Sequence, residues 1–185
     1  MNVLISGGCK NGKSAFAQDI AVKLSGGGRR FYVATMIPYD GEDRKRIENH
    51  ISDRSGMGFT TLEIGRDVGS CLDIAGENGT FLVDSITALL LNELFSSHGG
   101  EADPEAAERC IRGLDRIIRQ AENAVFVTDY IYSDAFRYDE FTESYRSSLA
   151  RLDRFLAKEC DTVIELCAGS AIFHKGVLVE VPAPP

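Results

Sequence analysis

No stretch of this sequence approaches the ~20 consecutive apolar residues of a membrane-spanning helix, and none is expected to cross a bilayer. The apolar run near the start, Val3-Leu4-Ile5, is too short for a signal peptide and lacks a basic flank, so it reads as a buried strand. Basic residues are also short: 20 Lys and Arg stand against 28 Asp and Glu, for a net charge of −8. An acidic body repels nucleic-acid backbones and anionic lipid, so any phosphate site must be local rather than a broad basic face. The five cysteines (Cys9, Cys71, Cys110, Cys160, Cys167) are odd in number and contain no CxxC pair. Neither disulfides nor zinc are expected, and the cytosol is the natural compartment. Repeats and low-complexity linkers are missing as well. With 185 residues, enough for one sizeable core, the chain reads as one domain over 1–181 with a frayed tail at 182–185.

What is there is an alternation of strands and helices. Apolar runs predict strands at 3–6, 30–35, 59–64, 80–84, 124–128 and 162–166. Helical spacing predicts helices over 13–24, 40–52, 68–75, 85–95, 104–121 and 138–158. Segments 171–174 and 177–181 read as a closing hairpin turning at Lys175-Gly176. Alternation of this kind implies an α/β fold with a mostly parallel sheet covered on both faces.

Between the first strand and the first helix stands Gly7-Gly8-Cys9-Lys10-Asn11-Gly12-Lys13-Ser14, which fits G-x-x-x-x-G-K-S. Glycines let backbone N–H groups approach phosphate oxygens, and the helix start adds its positive dipole end. Lys13 is expected on the β- and γ-phosphates of ATP or GTP, and Ser14 on Mg²⁺. Asp84 ends an apolar strand, where it would reach the same Mg²⁺ through water or cap the next helix, with Ser85 as the alternative cap. Cys9 reads as a small tolerated side chain or, with a lowered pKa, a redox-sensitive one.

Of three histidines, His50 has notable company. On a helix, Glu42, Arg46, His50 and Arg54 recur every four residues and share a stripe. Two flanking arginines disfavour imidazolium and would steady a phosphate, which suits a histidine that attacks phosphorus. The competing reading is a solvated face with salt-bridging charges. His98 reads as a loop residue and His174 as a hairpin residue.

Taken together, these motifs resemble the bifunctional adenosylcobinamide kinase / adenosylcobinamide-phosphate guanylyltransferase family of cobalamin biosynthesis. The match runs from Val3–Gly8 through Gly12-Lys13-Ser14, Tyr32-Val33-Ala34-Thr35, Asp40-x-Glu42, Arg46-Ile47-x-x-His50, Arg54 and Thr61-x-Glu63. It continues through Val83-Asp84-Ser85-Ile86-Thr87, Asn92, Tyr145-Arg146 and Gly169. The resemblance implies a three-layer P-loop NTPase (RecA-like) fold and a homo-oligomer, often a trimer. It implies His50 and Lys13 as catalytic residues, Mg²⁺ at Ser14 and Asp84, and nucleotide contacts from residues 7–14, Arg46, Arg54 and Glu63. In that reading His50 attacks the α-phosphorus of GTP, and the bound GMP passes to a phosphorylated corrinoid. The kinase half phosphorylates the corrinoid's aminopropanol hydroxyl with ATP or GTP.

One region departs from the pattern. Where the family shows N-E-V-G-x-G and a proline, this chain has Asp129-Tyr130-Ile131-Tyr132-Ser133-Asp134 and Arg137. Where it shows R-D-x-x-G-x-x-N-Q, this chain has Arg146 to Arg154 with no glycine. Tyr130 and Tyr132 read as a different substrate wall or as aromatics packed on the core. The departure keeps two further readings open: a P-loop kinase with a changed acceptor, and a nucleotide-binding regulatory protein without catalysis.

Overall fold

The computed structural model describes residues 1–38, 54–95 and 102–177. The helix expected over 40–52 lies outside the described residues, and with it His50 and Arg46; so do His98 and everything beyond 177.

The first strand, β1 (Asn2–Gly7), feeds the glycine loop and then α1 (Lys13–Leu24), at the bounds its periodicity predicts. Next come β2 (Arg30–Ala34) and β3 (Phe59–Glu63). The segment expected to be one helix over 68–75 is a 3₁₀ turn, Val68–Ser70, running into α2 (Cys71–Ala75). Then follow β4 (Thr80–Asp84), α3 (Ile86–Leu94), α4 (Ala106–Gln120) and β5 (Asn123–Asp129). The chain closes with α5 (Glu140–Glu159), β6 (Thr162–Cys167) and β7 (Ser170–Lys175).

The strands form one sheet in the order β3-β2-β4-β5-β1-β6-β7, parallel throughout except for β7. The antiparallel C-terminal hairpin is present, and it pairs β6 with β7 through a turn at Ala168-Gly169. β7 covers the expected 171–174 segment, whereas most of its expected partner, 177–181, lies outside the described residues. Both residues of the observed turn have positive φ (48° and 76°), which glycine adopts without steric cost.

Period-2 alternation sends each strand's side chains to two cores. Val3, Ile5, Leu82, Val125 and Val127 pack under α1 with Phe16 and Ile20. Leu4, Val33, Phe81, Val83 and Phe126 pack under α2 to α5, with Leu89, Leu114, Leu152 and Leu156 as the facing residues. These are the three layers expected. The central strands are buried on both faces, as parallel sheets require.

This topology decides where chemistry gathers. β5 lies between β1 and β4, so the C-terminal tips of these three neighbours carry Gly7, Asp129 and Asp84 side by side.

Candidate nucleotide site

The glycine loop is built from the inside. Asn11 Nδ2 donates to the Leu166 carbonyl at 2.7 Å, which ties the loop to the tip of β6. A Cβ on Gly7 would stand 2.5 Å from Asn11 Nδ2 and 2.6 Å from that same carbonyl, so only glycine fits there. Gly12 takes φ 86° and caps α1, turning the chain so that the first helical N–H groups face the loop.

Lys13 is 5% exposed, and all three of its N–H donors are taken. It donates to the Gly8 carbonyl and, at 3.1 Å, to Asn11 Oδ1, and it pairs with Asp129 Oδ1 at 2.7 Å. A cleft of about 460 Å³ opens over these groups. Residues 9–15 line it, with Asp84, Ser85 and Asp129 opposite and Met36 and Met57 at its rim. The structure thus brings Cys9, Lys10, Asn11, Gly12, Lys13, Ser14 and Asp84 to one cavity, with Gly7 and Gly8 in its supporting turn.

The tips of β2 and β4 are clasped together. Thr35 Oγ1 donates to the Ser85 carbonyl and accepts from Ser85 N, both at 2.7 Å. Buried Asn92 donates from Nδ2 to the Thr35 and Gly65 carbonyls at 2.7 and 2.9 Å. Ser85 is the N-cap of α3, accepting from Ala88 N at 3.3 Å, which leaves the Asp84 carboxylate free of capping.

Asp84 Oδ2 instead accepts from the Tyr32 hydroxyl at 2.8 Å. Burial, with the Asp84 carboxylate alongside, pushes the Tyr32 hydroxyl up, so it remains a donor. The Arg54 guanidinium lies 4.0 Å from the Tyr32 ring centroid and donates to Thr61 Oγ1 at 3.1 Å. Arg54, Tyr32 and Asp84 line a recess of about 60 Å³ that shares Met36, Asp84 and Ser85 with the main cleft. Glu63 stands apart. It is exposed at the end of edge strand β3, four strand spacings from β1, or about 19 Å.

The donor set suits a hard cation. The Ser14 hydroxyl and the Asp84 carboxylate are both oxygen donors in the cleft, and Mg²⁺ takes only one or two protein ligands beside phosphates and water. Among the described residues no cluster of three His, Cys, Asp or Glu could hold a metal by itself.

A second groove, about 560 Å³, runs between α5 and the β6–β7 hairpin. Tyr130 and Tyr132 line it with Asp153, Glu165 and His174. Tyr132 also packs against the core, as one of its two readings expected. Its hydroxyl donates to Asp153 Oδ2 at 2.6 Å, and His174 Nε2 lies 2.7 Å from Glu165 Oε2. Burial pushes the Asp153 carboxyl up to about 6, with the Tyr132 hydrogen bond pulling the other way.

Arg146, 7% exposed, braces the departing loop. It pairs with Asp134 Oδ1 at 2.8 Å and Glu143 Oε1 at 2.7 Å and donates to the Phe136 carbonyl at 3.1 Å.

All five cysteines are free thiols. Burial pushes Cys71, Cys110 and Cys160 up to about 12, whereas Cys9 and Cys167 are exposed.

Sequence reasoning missed Asp129, Tyr32 and Thr35 as site residues. Asp129 ends an apolar strand just as Asp84 does, so the same signal was available for it.

Several solved structures share the fold. Flagellar accessory protein FlaH from Methanocaldococcus jannaschii is 14% identical with a TM-score of 0.52, over 95% of this chain and 78% of its own. A Pyrococcus horikoshii OT3 protein is 11% identical with a TM-score of 0.53, over 98% and 89%. A prototypical ATPase of a type III secretion system is 12% identical with a TM-score of 0.53, over 90% and 51%. At these identities the likeness speaks for the fold alone. No curated protein sequence matches significantly. The family model described as cobinamide kinase / cobinamide phosphate guanyltransferase matches residues 3–173.

Proposed function

The chain belongs to the cobinamide kinase / cobinamide phosphate guanyltransferase family, and we propose that it performs both reactions, in cobalamin biosynthesis, through a guanylylated His50. A triphosphate lies along residues 7–14. Lys13 leaves its internal acceptors for the β- and γ-oxygens, and the α1 N–H groups bind the remaining charge. Ser14 and Asp84 would hold Mg²⁺, which would supply neutralisation of the charge on the phosphates. ATP or GTP serves the kinase step, and GTP supplies the guanylyl group.

The observation that carries this reading is the convergence of Lys13, Ser14 and Asp84 on one cleft, with Arg54 anchored at its edge. Arg54, at this edge, stands four residues after His50 in the sequence. An imidazole nitrogen attacks the α-phosphorus, the bond to the leaving pyrophosphate breaks, and a P–N bond conserves the phosphoryl group for transfer. Arg46 and Arg54 steady the phosphates. Glu63, on the far strand, serves the nucleotide's other end rather than the phosphates in the cradle. A homo-oligomer, a trimer in this family, acting in the cytoplasm completes the proposal.

The test is incubation with Mg²⁺ and GTP labelled at the α-phosphate. Acid-labile label should appear on the protein and vanish in His50→Ala. Phosphorylation of cobinamide without any protein-bound label would sink the histidine route and leave a kinase alone. The departing stretch from Asp129 to Arg137 favours that second reading.

A further inference from the structure

Asp129 has no assigned part in either reaction, yet it occupies the centre of the cleft. Its strand, β5, separates the strand of the phosphate loop from the strand of Asp84, and Asp129 is in register with Gly7. Its backbone N–H donates to Thr87 Oγ1 at 3.1 Å, which fixes the strand tip against α3. Among the described residues its carboxylate pairs with Lys13 alone, at 2.7 Å.

That pairing sets up an exchange. Lys13 has three donors and all three are occupied by Gly8, Asn11 and Asp129. A triphosphate that draws the ammonium onto its β- and γ-oxygens takes it away from Asp129. The carboxylate is then left without its cation, beside the phosphoryl group about to move. A bare anion there repels the nucleotide unless a proton donor approaches it, and the acceptor alcohol is such a donor. The family pattern places an Asn-Glu pair at this strand tip. Here the acid stands at the first position and Tyr130 at the second.

We infer that Asp129 is the general base of the phosphoryl transfer, an inference that rests on the kinase half of the proposed function. The acceptor's hydroxyl oxygen forms a bond to the γ-phosphorus as the bond from that phosphorus to the β–γ bridging oxygen breaks. The hydroxyl proton passes to the Asp129 carboxylate and then to solvent, and the nucleoside diphosphate leaves with the bridging oxygen. The guanylyl step needs no such base, because its nucleophile is a neutral imidazole.

Asp129→Asn separates the two steps. The amide keeps the size of the side chain and still accepts from Lys13, but it takes no proton. Cobinamide phosphorylation at saturating nucleotide and acceptor should fall at least about 100-fold, the usual weight of a general base. Nucleotide affinity should hold or rise, because the repelling charge is gone, and label uptake from α-labelled GTP should continue; both report an intact fold. Phosphorylation at the wild-type rate would overturn the inference. So would a loss that merely tracks weakened nucleotide binding, since Asp129 would then only position Lys13. If the unaltered protein phosphorylates no cobinamide, the kinase reading itself fails, independently of this variant.

Discussion

The Tyr32 hydroxyl donates to Asp84 at 2.8 Å while the Tyr32 ring carries the Arg54 guanidinium 4.0 Å from its centroid. One side chain thus connects the acid expected on Mg²⁺ with Arg54. Tyr32→Phe keeps the ring and the stacking but frees Asp84 to rotate. A hydrogen bond to a charged group is worth about 1.5–3 kcal/mol, so kcat/KM should fall by roughly 10- to 100-fold. Steady-state kinetics against Mg²⁺ concentration checks this, with melting temperature as the control for folding.

Gly7→Ala should cripple the phosphate loop. The added methyl group meets the Leu166 carbonyl, a backbone atom that cannot swing aside, and displaces the Asn11 amide bonded to it. Overpacking of this sort costs about 1–3 kcal/mol. Urea unfolding should show that loss, and nucleotide titration should show weaker binding. Gly8→Ala, where a Cβ meets nothing within 4 Å, is the comparison expected to be mild in stability.

Much of this was legible beforehand, and the reason is local. The strict spacing of the phosphate loop, the bounds of α1 and the strand ending at Asp84 depend on residues close in sequence. The Lys13–Asp129 pair joins positions 116 apart and exists only because β5 inserts beside β1, an order that periodicity does not encode. The hairpin shows the same limit on a small scale. The turn that pairs β6 with β7 lies at Ala168-Gly169, where strand periodicity gives no signal and positive φ does the turning. Gly176 also takes positive φ (68°), and a Cβ there would meet the Asp161 carbonyl.

Asn92→Leu should loosen the clasp at the strand tips. It removes the donor to the Thr35 and Gly65 carbonyls inside the protein, where Asn92 is 2% exposed. Leaving buried acceptors unsatisfied costs about 1–3 kcal/mol each. The loss should appear in urea unfolding, accompanied by a lower kcat, because Thr35 also holds Ser85 beside Asp84.

Asp153 makes stability depend on pH in an unusual direction for a carboxyl group. Its native pKa of about 6 is raised above the ordinary 3.8, so between these values the folded chain holds a proton that the unfolded chain has released. Its favourable contribution is complete below pH 3.8 and is lost as pH rises through 6. Two pKa units set an upper limit of about 3 kcal/mol. Asp153→Asn keeps an acceptor for the Tyr132 hydroxyl and removes the titration. The difference in stability between variant and wild type should therefore grow in the variant's favour from pH 4 to pH 7, as read by denaturant melts across that range.

Burial of Cys71, Cys110 and Cys160 has a practical consequence. Electrophiles that attack thiolates, maleimides among them, are steered to Cys9 and Cys167, and Cys9 lines the cleft proposed for the triphosphate. A bound nucleotide should shield the first of these and leave the second open. The ratio of adducts at the two positions, read by mass spectrometry, makes the native chain its own occupancy gauge without an introduced probe.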